Sequence, residues 1–185
     1  MKIKLQEPKT DSRFSLEQSL ARRRSARQYA DEPLSLGAIG QLLWAAQGIT
    51  SPAGYRTAPS AGALFPLEVY LVAGQVEEVP PGVYHYQPHP HQLIPVRKGD
   101  IRRQLTDGAL GQPAITKAPA SFVICAVYER TTRKYGQRGI RYVHLDAGHA
   151  AQNVCLQATA LELGTVPIGA FRDELVAQTL QLAQD

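Results

Sequence analysis

Between residues 21 and 29 the chain reads ARRRSARQY, placing Arg22, Arg23, Arg24 and Arg27 within six positions with Ser25 among them. A guanidinium is planar, permanently charged and carries five donors, which matches the geometry of a phosphate. The serine hydroxyl adds a further donor. The same residues also suit the last turn of a helix, where cations complement the macrodipole, or a patch that binds polyanions. A second group is RKYGQRGIRY, residues 133–142, in which Lys134 stands beside Tyr135. Such a pair can supply a base and a proton donor when burial tunes it; the plain alternative is a surface loop of solvated charges.

Two further stretches offer backbone rather than side chains. RTAPSAGALFPLEVYLV, residues 56–72, sets Pro59, Ser60, Ala61 and Gly62 just before an apolar run. A connection this free of bulk lets the chain approach either another backbone or a flat ligand. TVPIGAF, residues 165–171, repeats the feature with Pro167, Ile168, Gly169 and Ala170, although a generic turn explains it equally well. His85, His89 and His91 are interleaved with Pro88 and Pro90, which reads as an exposed turn and not as a metal site. His144 and His149 are five apart, the wrong spacing for one helical face, and Asp146 with His149 reads as a buried polar pair. No metal site is expected.

These groups need elements to hold them. Ser15 with Gln18 forms a capping box for a helix through about Arg24. Ser35 caps a second helix with an apolar stripe of Leu36, Ile39, Leu42, Leu43 and Ala46, stopped by Gly48. LEVYLVA, residues 67–73, is a strand, and GVYHY, QPHPH and QLIPV make a hairpin. Asp100 caps a short helix, IRRQLTDG. ASFVICAVY, residues 120–128, reads as a central strand, and 141–163 as a long helix ended by Gly164. A terminal helix spans 173–182. This mixed order predicts an α+β domain with a largely antiparallel sheet covered by helices.

The chain has 185 residues, 44% apolar and 19% charged, which suits a single domain, 1–185, with residues 1–14 as an N-terminal arm. A net charge of +4 favours anionic ligands but falls short of a nucleic-acid binder. The opening MKIKLQEPKTDSRF lacks the apolar core of a signal peptide, and no apolar run is long enough to span a membrane. A cytoplasmic protein is expected. Cys125 and Cys155 lie far apart in apolar segments and read as two buried thiols.

Taken in order, RRRSARQY, LLWAAQGI, RTAPSAGALFPLEVYLV, GVYHY, KYGQRGIRYVHLDAGHAAQN and VPIGAF resemble the nitroreductase superfamily, and within it the SagB-type dehydrogenase branch that includes azoline oxidases. The resemblance runs from about residue 15 to residue 180 and implies FMN bound at a homodimer interface. Arg23, Arg24, Ser25 and Arg27 match the basic motif. Arg23 and Ser25 would hold the phosphate and ribityl chain, and Arg27 would sit at the pyrimidine edge, where a cation suits the charge of reduced flavin. Pro59, Ser60, Ala61 and Gly62 would line the ring from the other chain. Gln112 would reach a flavin edge, and Pro167, Ile168, Gly169 and Ala170 would face its reactive nitrogen. Lys134 and Tyr135 match the catalytic pair of azoline oxidases. The resemblance implies either NAD(P)H-dependent reduction of nitro or quinone acceptors, or dehydrogenation of azoline rings in peptides. A flavin-binding protein without turnover and a basic polyanion-binding domain stand as alternatives. Relatives continue past the position of Asp185 with a strand carrying a Pro-Val-Gly motif and basic residues, which this sequence lacks.

Overall fold

The computed structural model describes residues 2–182. Five strands form one sheet in the order β1-β4-β3-β2-β5, with every neighbouring pair antiparallel. They are β1 (Ile3–Lys4), β2 (Leu67–Ala73), β3 (Gly82–Gln87), β4 (Gln92–Lys98) and β5 (Ala120–Ala126). The helices are α1 (Leu16–Arg22), α2 (Leu36–Gln47), α3 (Arg102–Gly108), α4 (Pro113–Lys117), α5 (Glu129–Tyr135), α6 (Arg138–Ala160) and α7 (Asp173–Leu180).

Strand periodicity of two sorts the core into two layers. Leu67, Val69, Leu71 and Ala73 of β2 face α2 and α6, together with Tyr84, Tyr86 and Phe122. Tyr70 and Val72 point the other way, with Val83, Val123 and Cys125, against α3, α4 and α7. Helix α1 begins with the expected capping box: Ser15 Oγ accepts from the Gln18 amide at 3.1 Å, and Gln18 Oε1 accepts from the Ser15 amide at 3.0 Å. Ser35 caps α2, and Gly48 ends it.

Four expectations are corrected. The strand β5 lies at the sheet edge and not at its centre. Its apolar run reflects two covered faces, and a covered face does not reveal whether a second strand pairs alongside. The long helix starts earlier and ends earlier, at Arg138–Ala160. Glu162, at φ +60°, takes the left-handed position there, before Gly164 is reached. The segment read as a polar loop, 133–142, is instead the end of α5 and the start of α6. Arginine, lysine and glutamate are good helix formers, and this short helix needs little apolar stripe because only Thr131 of it is buried. His91 is buried, not on an exposed turn: its Nδ1 is 2.8 Å from the Tyr86 hydroxyl, and its carbonyl accepts from the Leu5 amide at 3.1 Å.

Candidate active site

Two clusters emerge, one towards each end of α6. At its C-terminal end the chain turns back, and Ser25 pairs with Thr165 in a short parallel bridge. The Ala26 amide donates to the Thr165 carbonyl at 2.8 Å. This contact sets the basic stretch beside the 165–171 loop. Arg23 is half-buried, while Arg24, Ser25 and Arg27 are exposed. Arg23, Arg24 and Arg27 have no ion-pair partner among the described residues. In the loop, Pro167, Gly169 and Ala170 are exposed, and a Cβ added at Gly169 would meet nothing within 4 Å. Gln112 holds the loop from below: its side-chain amide donates to the carbonyls of Ala109 at 3.0 Å and Ala170 at 2.9 Å. Beneath lies a largely apolar cavity of about 580 Å³ that reaches Tyr29, Phe122, Cys155, Pro167 and Phe171.

The second cluster lies towards the N-terminal end of α6. Ala61–Ala63 form one 3-10 turn. Gly62 sits at φ +65°, Ala63 at +54° and Phe65 at +45°. The turn is pinned by Ser60 Oγ, which accepts from the Phe65 amide at 2.9 Å, and by Asp146 Oδ1, which accepts from the Ala61 amide at 3.3 Å. A Cβ at Gly62 would stand 2.7 Å from the Tyr135 hydroxyl and 3.1 Å from Lys134 Nζ. The bare segment and the Lys–Tyr pair are therefore in contact within one chain. Lys134 Nζ lies 5.4 Å from the centre of the Tyr135 ring, which meets Tyr142 edge-on at 5.1 Å. Asp146 is buried and its Oδ2 has no partner. The expected Asp146–His149 pair does not form: His149 is exposed, and the Asp146 carboxylate turns to the backbone of residue 61 instead.

The pattern of the Nitroreductase family matches residues 20–185. The chain belongs to the nitroreductase family. It is 45% identical over 171 residues to the nitroreductase-family protein MJ1384 of Methanocaldococcus jannaschii, covering 92% of this chain and 86% of that one. It is 33% identical over 162 residues to the microcin B17-processing protein McbC of Escherichia coli, covering 82% of this chain and 58% of McbC. It is 28% identical over 166 residues to an FMN reductase [NAD(P)H] of Bacillus subtilis, covering 83% and 53%. The crystal structure of a nitroreductase homologue from Ralstonia eutropha superposes with a TM-score of 0.87 at 30% identity, over 100% of this chain and 83% of that one. The likeness to McbC supports the SagB-like branch of this family.

Two further residues, Glu68 and Arg130, escaped the sequence reading. Glu68 is bonded to both Arg130 and His85, each at 2.6 Å. Burial pushes its carboxyl upward, and the bonds from His85 and Arg130 outweigh this and hold it below the ordinary glutamate value. The signal was present in LEVYLVA, where one acid interrupts an otherwise apolar strand. Neither cysteine forms a disulfide. Among the described residues there is no cluster of metal-binding side chains, and no helix is long and apolar enough to cross a membrane.

Proposed function

We propose that this nitroreductase-family protein is an FMN-dependent oxidoreductase that works as a homodimer, each flavin lying between the two subunits. The observation that carries the reading is the Ser25–Thr165 bridge. It sets arginines without ion-pair partners against a loop of open backbone, a fit for a ligand with a phosphate at one end and a flat ring at the other. Arg23 and Ser25 would hold the phosphate and ribityl chain, with Arg24 adding charge and Arg27 at the pyrimidine edge. Pro167, Ile168, Gly169 and Ala170 would face the ring, with Gln112 keeping the loop in place through Ala170.

Distance is the argument for the dimer. Asp146, under the 60–62 turn, and Leu161, at the far end of α6, are separated by about 22 Å at 1.5 Å per residue. A two-fold pairing of helices would bring Pro59, Ser60, Ala61 and Gly62 of one subunit over the flavin held by the other. Leu16, Leu20 and Leu145 are more than half exposed on α1 and α6 and would be covered by such a pairing. Bound there, FMN supplies hydride transfer at its reactive ring nitrogen. Lys134 and Tyr135 arrive with the turn they touch and hold or move a proton at the substrate.

An azoline ring must lose a proton as well as a hydride to become an azole, so the Lys–Tyr pair favours a SagB-type dehydrogenase acting on azolines in peptides, with oxygen taking the electrons. NAD(P)H-dependent reduction of a nitro or quinone acceptor is the second reading, favoured by the likeness to the FMN reductase.

The deciding experiment is an absorbance spectrum of the protein after FMN addition and desalting, with mass by light scattering. Flavin bands near one per chain on a dimer support the reading. Air oxidation of an azoline peptide and NADPH consumption with menadione then separate the two reactions. Flavin bands without either turnover would leave a flavin-binding protein. A colourless protein that binds DNA in a salt-sensitive way would leave the polyanion-binding alternative.

A further inference from the structure

The helix that carries Lys134 and Tyr135 is joined to the small-residue segment at a second point, away from the pair itself. Arg130 stands in the first turn of α5. Its Nη2 lies 2.6 Å from Glu68 Oε1, and its Nη1 donates to the Phe65 carbonyl at 3.2 Å. The other Glu68 oxygen lies 2.6 Å from His85 Nε2. The His85 ring in turn packs on Tyr70 at 4.8 Å. Glu68, Tyr70 and His85 project from adjacent strands on one face of the sheet, at directly opposed positions for Tyr70 and His85. The array thus runs from the middle of the sheet to both halves of the Lys–Tyr cluster.

Residues with side chains at positive φ persist only where the surroundings over-determine them. Ala63 and Phe65 are both of this kind. Ser60 ties the loop to itself, and Asp146 ties it to α6. Among the described residues, Arg130 alone makes a hydrogen bond from α5 to this strained backbone. Its side chain is 41% exposed, so the ion pair adds little to global stability. What the guanidinium fork supplies is geometry: one planar group fixes a strand carboxylate and a loop carbonyl at once.

We infer that Arg130 is a positioning residue that sets the register between the 60–65 segment and the Lys134–Tyr135 pair, with Glu68 and His85 fixing Arg130 in turn. The inference rests on the reading that this pair meets the substrate. Lysine at position 130 keeps the charge but cannot span both targets, and glutamine keeps neither charge nor fork.

The test combines hydrogen exchange of the flavin-free chain with kinetics of the loaded enzyme. In Arg130→Gln, peptides covering 60–66 and 129–136 should exchange together about fivefold faster, while those in α2 and β3 stay unchanged. In the loaded enzyme kcat should fall about tenfold, with KM within about twofold of wild type. Arg130→Lys should fall between the two in both readouts. Unchanged exchange at 60–66 overturns the inference, and so does faster exchange with kcat intact. Full activity in Lys134→Ala would overturn the catalytic reading of the pair and with it the positioning role, while the exchange data still decide whether Arg130 joins the two segments.

Discussion

Gly62→Ala probes the contact on which the second cluster depends. Two costs arise from one methyl group. Gly62 holds φ +65° and ψ 16°, the left-handed region, where a Cβ costs about 1 kcal/mol relative to glycine. The new Cβ would also stand 2.7 Å from the Tyr135 hydroxyl, well inside normal contact. Tyr135 must swing away, loosening its edge-on packing with Tyr142, an arrangement worth about 0.5–1.5 kcal/mol. Together the change should cost about 2 kcal/mol, which lowers the melting temperature by about 4–8 °C in a domain of this size.

Activity should fall further than stability does, because the atom displaced is the one proposed to handle the proton. Gly99→Ala is the matched control. Gly99 has φ +95°, and a Cβ there meets nothing within 4 Å, so it tests strain without collision. Thermal unfolding and turnover would be measured for both variants at a temperature where each is fully folded. The expected result is a lower melting temperature in both and at least a tenfold loss of kcat in Gly62→Ala alone. Equal turnover in the two variants, each corrected for its folded fraction, would refute the view that the bare segment exists to seat Tyr135.

Burial pushes the His91 imidazole below its ordinary value, with Glu7 and the Gln6 backbone opposing. The unfolded chain therefore binds the proton more readily, so stability is intact above the ordinary histidine value of about 6.5 and is lost as pH falls below it towards the depressed native value. The urea midpoint should drop between pH 7.5 and 5, less so in His91→Gln; equal drops would remove His91 as the cause. Burial, with Glu68 adding to it, pushes the Cys125 thiol up to about 12, so native protein at pH 8 should label at Cys125 only after unfolding, as mass spectrometry of alkylated peptides would show. Arg23→Ala should weaken FMN about 10- to 100-fold, the worth of one charged hydrogen bond, with the fold unchanged by circular dichroism; an unaltered dissociation constant would take Arg23 out of the phosphate site.

The sequence was most readable where chemistry and period coincide. Ser15 with Gln18 marked a helix start to the residue, and Gly48 marked an end. LEVYLVA and the hairpin stood where apolar alternation and Pro-rich punctuation put them. The elements that went unread have no such local signal. Strand β1 is two residues long and exists because β4 offers it an edge. Helix α4 has five residues, and Pro113 at its start was the one available clue. Helix α5 carries no aliphatic residue and is held by contacts with α6 rather than by an apolar stripe. The site followed the same division. The basic motif and the bare segments were visible as compositions, but the Glu68–His85–Arg130 array joins residues 17 and 62 positions apart, and only strand pairing reveals it.

The two bare segments also prove to differ in what their lack of side chains does. At 167–170 the backbone is open, and a Cβ at Gly169 would touch nothing, so smallness there leaves room for something outside the chain. At Gly62 the space is already taken by the chain's own tyrosine. Smallness at 60–62 thus has an internal cause: it lets Tyr135 and Lys134 come down onto the turn, while Pro59, Gly62 and Ala63 stay exposed. A segment with one side spent on Tyr135 and another still open can carry that residue to a ligand held elsewhere. The basic stretch has the complementary character, with charge to bind a phosphate and no Lys–Tyr pair beside it. Each cluster lacks what the other holds, and α6 keeps them apart within one chain, so a second copy running the opposite way is the simplest arrangement that completes both.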